Sequence, residues 1–167
     1  MNPSDGADLY FAREAIEVAA TRRALDVDDL DLDGLAAALA ALGKVATGPG
    51  RPSDSLIEAD VNFHQALVDL AGSRRLSRAY STFAAETQLL LRSHPPYPRD
   101  KYVGDHEQLY EALRRRDPQT PELVREHLQF SAQLIRNEIA GEGRTEVSRK
   151  RVRAGGNVET NDGEDAG

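Results

Sequence analysis

The stretch SDSLIEADVNFHQALVDLAGS, residues 53–73, decides how the chain is read. Leu56, Asp60, Phe63/His64, Leu67 and Ala71 recur at intervals of three and four, the spacing of one helix face. Ser53 or Asp54 can cap the start, while Gly72 stops this helix and Ser73 caps the next, which predicts a tight turn. The stripe is not purely apolar. It carries an aspartate and a histidine, Asp60 and His64, one turn apart on the same face, so the two side chains can converge on one point.

Working outward, the same periodicity predicts six helices and no strands. The first covers Asp8 to Ala24, with Leu9, Ala12, Ile16, Ala19 and Ala20 as its stripe. The second runs from Asp28 to Thr47 through the alanine- and leucine-rich run Leu35–Leu42, a composition of high helix propensity. Gly48–Pro52 breaks the chain. After the helix of residues 53–71, a fourth carries Leu76, Tyr80, Phe83, Thr87 and Leu90 and stops before the proline loop His94–Pro98. A fifth runs from Asp100 to Arg116, with Tyr102, His106, Leu109 and Leu113 inward. In the sixth, Thr120 is the expected cap and Pro121 the first helical residue. That helix is expected to end at Ala140, with Val124, His127, Ser131, Leu134 and Ile135 inward. Short connections between such helices favour an all-α antiparallel bundle. Residues 7–140 are thus expected to form the folded domain, with residues 1–6 as an extension and residues 141–167, glycine-rich and charged, as a disordered tail. The basic cluster Arg149, Lys150, Arg151 and Arg153 in that tail reads first as a solvated run and only weakly as a nucleic-acid contact.

Composition narrows the function. The 167 residues carry a net charge of −7, no cysteine, no tryptophan and 5% aromatic residues. Disulfides and thiolate metal sites are excluded. Such an acidic, aromatic-poor chain does not suit a nucleic-acid surface built on basic patches and stacking. No apolar run approaches the ~20 residues of a membrane span, and the N-terminus has no secretory pattern, so a cytoplasmic location is expected. Phosphate-binding glycine loops, His-Glu-x-x-His and Gly-x-Ser-x-Gly are all missing, and nothing identifies a nucleophile.

Three of the four histidines, His64, His106 and His127, occupy inward positions where leucine would be expected. Taken alone, Asp60 and His64 read first as a local ion pair. Adding His106 and His127 gives a metal reading equal standing, because one ion satisfies three buried imidazoles that would otherwise need three separate partners. Three histidines and a carboxylate suit a divalent transition metal (Zn, Ni, Mn or Fe), whereas Ca²⁺ and Mg²⁺ prefer oxygen shells. His94 fits no stripe and is expected to be exposed. Arg13 lies near the buried side of its helix. It either pairs with Glu17, four residues on, or faces a cavity and grips a carboxylate in bidentate fashion. Arg92 is a weaker candidate for that effector-binding role.

Several segments together resemble a known family. Leu9–Ala20 is similar to the opening helix of the FCD domain, the C-terminal effector-binding domain of the FadR subfamily of GntR-type bacterial transcription regulators. The pattern Asp60-x-x-Phe63-His64-x-x-Leu67, followed by Leu70-Ala71-Gly72-Ser73-x-x-Leu76, resembles its third and fourth helices. His106-x-x-Leu109-Tyr110-x-Ala112-Leu113 and His127-Leu128 resemble its last two. The resemblance covers about residues 7–140. It implies a dimerising helical bundle that holds a divalent metal through Asp60, His64, His106 and His127, with a small carboxylate effector bound against the metal and Arg13 in the cavity wall. Phe11 departs from the family's usual acidic residue, Ser73 from its asparagine, and the loop at Pro118–Pro121 is one residue shorter. The expectation is an effector-sensing and dimerisation domain of a GntR-type regulator, not an enzyme. DNA contact would come only through a winged helix-turn-helix that these residues do not include. The alternatives are a metal-dependent hydrolase-like enzyme, for which no matching acid or base is evident, and a ligand-free helical interaction domain.

Overall fold

The computed structural model describes residues 3–46, 53–93 and 99–155, with side chains described over 5–46, 53–93 and 103–137. His94, the expected exposed histidine, and residues 156–167 of the expected tail lie outside the described residues. Six helices follow in order: α1 Pro3–Leu25, α2 Asp33–Val45, α3 Asp54–Asp69, α4 Arg74–Ser93, α5 Arg99–Arg114 and α6 Thr120–Gly155. Among the described residues there is no strand, and the architecture is the expected all-α bundle.

The predicted caps set the start of α3 and α4. Ser53 Oγ accepts from the Leu56 amide at 3.2 Å, and Ser73 Oγ accepts from the Leu76 amide at 3.4 Å. Gly72, at φ +58°, supplies the left-handed residue of the turn between them. The whole expected α3 stripe is buried: Leu56, Asp60, Phe63, His64, Leu67 and Ala71. α1 packs on α3, α4 and α6 and so forms the spine of the bundle. It runs antiparallel to α4: a Cβ at Gly6 would lie 3.4 Å from Leu90, while the Arg13 guanidinium lies over the Tyr80 ring.

Several element boundaries differ from expectation, for physical reasons. α1 begins at Pro3, not Asp8, and Gly6 packs against α4 instead of lying in an extension. α2 begins at Asp33, not Asp28. The carbonyls just after α1 are taken by Arg116, whose guanidinium donates to Val27 at 2.6 Å, Asp28 at 2.6 Å and Leu25 at 3.4 Å. Asp31 Oδ1 then accepts from the Asp33 amide at 2.8 Å, which turns the chain into α2. Thr120 does not cap α6. Its hydroxyl donates to the Asp117 carbonyl, and it is Asp117 Oδ1 that accepts an amide, from Gln119. Finally, α6 continues past Ala140 to Gly155. That segment has no proline, and its Glu, Arg, Lys and Ala residues are good helix formers, enough to carry the helix through Gly141 and Gly143.

α5 ends in a Schellman arrangement: the Asp117 amide donates to Ala112 O, and the Arg116 amide donates to Leu113 O. The left-handed position that normally favours glycine is occupied by Arg116, at φ +53°. Its three carbonyl contacts explain why an arginine is held there. Arg116→Ala loses the contacts and keeps the left-handed cost, whereas Arg116→Gly loses the contacts and relieves it. In urea denaturation the glycine variant should be more stable than the alanine variant by about 1 kcal/mol. Equal midpoints would contradict that assignment.

Candidate metal centre

His64 comes from α3, His106 from α5 and His127 from α6. Each offers one ring nitrogen to a cluster whose atoms all lie within 4.8 Å of one another. His106 Nε2 lies 3.3 Å from His64 Nε2 and 3.2 Å from Asp60 Oδ1. Tetrahedral ligands at Zn–N and Zn–O bond lengths stand about 3.3 Å apart, so these spacings are those of neighbouring ligands on one ion. The residues therefore fit a divalent transition metal. Phe63 packs edge-on against His106 at 4.6 Å and His64 at 5.7 Å between ring centres, closing one side with a hydrocarbon wall. His127 is half-buried, stacked at 5.2 Å on His64, and it borders a cleft of about 260 Å³ between α5 and α6. Asp105 and Glu126 flank that cleft, a sign of charge that favours cations.

Behind the histidines lies a second polar layer from α1. Glu17 Oε2 sits 2.6 Å from His64 Nδ1, and Glu17 Oε1 accepts from Arg13 Nε at 2.9 Å. Both residues are fully buried, at 0% and 1% exposure. The Arg13 guanidinium lies 5.0 Å from the centre of the Tyr10 ring and 5.7 Å from that of Tyr80, within cation–π range. Its Nη2 has no hydrogen-bond partner among the described residues.

The electrostatics follow from burial and from this one cation. Burial pushes the Tyr10 hydroxyl up to about 12, against the pull of Arg13. It also raises Glu17 above the usual carboxylate range, with Arg13 pulling the other way. Burial works against the charge of Asp60 as well, but the hydrogen bond and charge of His106, with His64 and Arg13, hold that carboxyl below its ordinary value. His64 is driven well below the ordinary histidine value by burial and then by Arg13. It is neutral, the form that binds metals.

The structure thus brings His64, His106 and His127 into one cluster, sets Asp60 beside it against His106, and joins Arg13 to it through Glu17. It does not bring Arg92 there. Arg92 is 46% exposed and pairs with Asp54 at 2.9 Å. Antiparallel packing sets the end of α4 beside the start of α3, roughly 15 Å along the axis from His64. Glu17 is the residue whose place in the site the sequence reading missed. The buried residues of α1 are Gly6, Leu9, Tyr10, Arg13, Glu17, Val18, Ala20, Thr21 and Ala24, whereas Ala19 of the expected stripe is exposed. A stripe drawn through positions 10, 13, 17, 20 and 24 regardless of polarity would have found it.

A pH dependence follows. The folded value of His64 is depressed, so its contribution to stability is complete above about pH 6.5 and is lost as pH falls toward the folded value. Thermal melts of metal-free protein between pH 7.5 and 5.0 should show the melting temperature falling on acidification. The slope should match uptake of up to one proton by this group, about 1.4 kcal/mol per pH unit. Glu17, whose raised value contributes in the opposite sense, titrates as well, so the His64 slope is read as the difference from a His64→Gln variant. No difference would contradict a buried neutral His64.

The family model of the FCD domain matches residues 8–130. No curated protein and no solved structure matched the chain. The matched segment holds α1 from Asp8 onward, α2 to α5, the first part of α6, and with them Asp60, His64, His106 and His127. The chain therefore belongs to the FCD domain family, the C-terminal effector-binding domains of GntR-type transcription regulators.

Proposed function

We propose that this domain senses a small organic acid at a divalent transition metal held by Asp60, His64, His106 and His127, and that it works as a homodimer. The observation that supports this most is the convergence of three imidazoles from three helices within 4.8 Å, with a carboxylate oxygen 3.2 Å from one of them. When bound, the metal would supply an electrophilic anchor for a carboxylate oxygen. Arg13 would add a charge-assisted donor through Nη2, a buried nitrogen with no partner among the described residues. A ligand held this way engages α1, α3, α5 and α6 together, so binding favours one arrangement of the bundle over others. In a GntR-type regulator the shift would pass to the winged helix-turn-helix that reads DNA. FCD domains are regulatory parts of transcription factors, which favours a sensor over a hydrolase-like enzyme. No helix among the described residues is long and apolar enough to cross a membrane, in keeping with a cytoplasmic regulator.

A ligand-free interaction domain is the second reading, favoured by one observation: His64 and His106 already have carboxylate partners in Glu17 and Asp60. Elemental analysis of untagged protein separates the two. The sensor reading predicts about one transition metal per chain, lost in an Asp60→Ala, His106→Ala double variant. It also predicts a melting temperature that falls on chelation and rises with an organic acid, with ~2.7 kcal/mol gained at 100 times Kd. Sedimentation should give the mass of two chains. Metal-free protein that stays so after reloading, with a melting temperature indifferent to chelator, would leave the second reading standing.

A further inference from the structure

We infer that Glu17 is a positioning residue that fixes the tautomer of His64, so that the ring nitrogen facing the cluster is the one with a lone pair. The inference rests on the metal reading for its purpose, but the tautomer is a property of the metal-free protein. Arg13 has only donors, so Glu17 Oε1, 2.9 Å from Arg13 Nε, must accept. Burial pulls this carboxyl toward its neutral form and the guanidinium pulls it back; held as the carboxylate of the Arg13 ion pair, it has Oε2 as an acceptor too. Oε2 stands 2.6 Å from His64 Nδ1, and both side chains are buried, at 0% and 1% exposure, so water does not compete for the contact. Nδ1 therefore carries the hydrogen and Nε2 the lone pair. Nε2 is the atom that meets His106 Nε2 at 3.3 Å. A hydrogen bond to the far nitrogen is what orients a metal-ligating imidazole and raises its basicity. Here the orienting group sits on α1 and is anchored by the same arginine that borders the site, so α1 reaches the cluster without supplying a ligand.

The test uses ¹⁵N-labelled protein. Long-range ¹H–¹⁵N spectra of the metal-free wild type at pH 7.5 should show His64 protonated on Nδ1. Glu17→Gln keeps the shape, but Arg13 claims the side-chain oxygen and the amide group turns its hydrogens toward His64. The hydrogen on His64 should then move to Nε2. Zn²⁺ affinity, measured by competition with a chelating dye, should fall about 10–100-fold. Glu17→Met removes the acceptor at similar volume and should give mixed tautomers with weakened Zn²⁺ binding. Glu14→Gln, on the same helix, should change neither readout. Wild-type His64 protonated on Nε2, or a Glu17→Gln protein with unchanged tautomer and affinity, would overturn the inference. A wild type that binds no Zn²⁺ would overturn the metal reading instead, and the spectra would still decide the role of Glu17.

Discussion

The bundle depends on how it accommodates one buried ion pair. Arg13 and Glu17 face inward from the helix that touches three others, and neither reaches water. Removing charges from water costs several kcal/mol per ion and is tolerable only with good geometry and further hydrogen bonds. Glu17 meets that demand with one oxygen on Arg13 and the other on His64. Arg13 meets part of it with two aromatic faces, Tyr10 from its own helix and Tyr80 from α4. The register of α1 against α3 and α4 is thereby tied to polar contacts and not to hydrocarbon packing alone. Losing either partner would strand the other as an uncompensated buried charge, at a cost of about 3–5 kcal/mol.

The same pair explains why the histidine cluster takes its form. A neutral His64 needs a partner on one nitrogen and leaves the other for the cluster. His106 is met by Asp60, and Phe63 packs edge-on against both rings, so the imidazoles have little freedom to rotate. His127 differs: it is half-buried and borders the cleft between α5 and α6. The cluster is therefore rigid on the α1 and α3 side and open on the α6 side. That asymmetry makes the α6 side the accessible side of the cluster.

Much of this was legible in the sequence. The starts of α3 and α4 follow from Ser53 and Ser73, and the inward placement of Asp60, His64 and His106 follows from helical spacing, since each replaces a core residue in an otherwise apolar stripe. The rest was hidden for physical reasons. On α1 the buried stripe is polar at its centre, and apolar periodicity rotated the predicted face toward Ala12, Ile16 and Ala19. Glu17 reads as the i,i+4 partner of Arg13, which it is. Its second contact, with a residue 47 positions away, has no local signal. The start of α2 depends on Arg116, some ninety residues distant, taking carbonyls that a continuing helix would have used. Arg92 is a candidate by residue type and by its place at the end of α4, and its distance from the site is a matter of which helix ends meet.

X-ray absorption on the protein reloaded with Zn²⁺ would test most directly whether the imidazoles and Asp60 hold a metal together. The predicted first shell is nitrogen and oxygen at about 2.0–2.1 Å, with multiple scattering from three imidazoles. A shell of oxygens without imidazole scattering would contradict it, and would mean that the histidines are core groups satisfied by Glu17, Asp60 and one another.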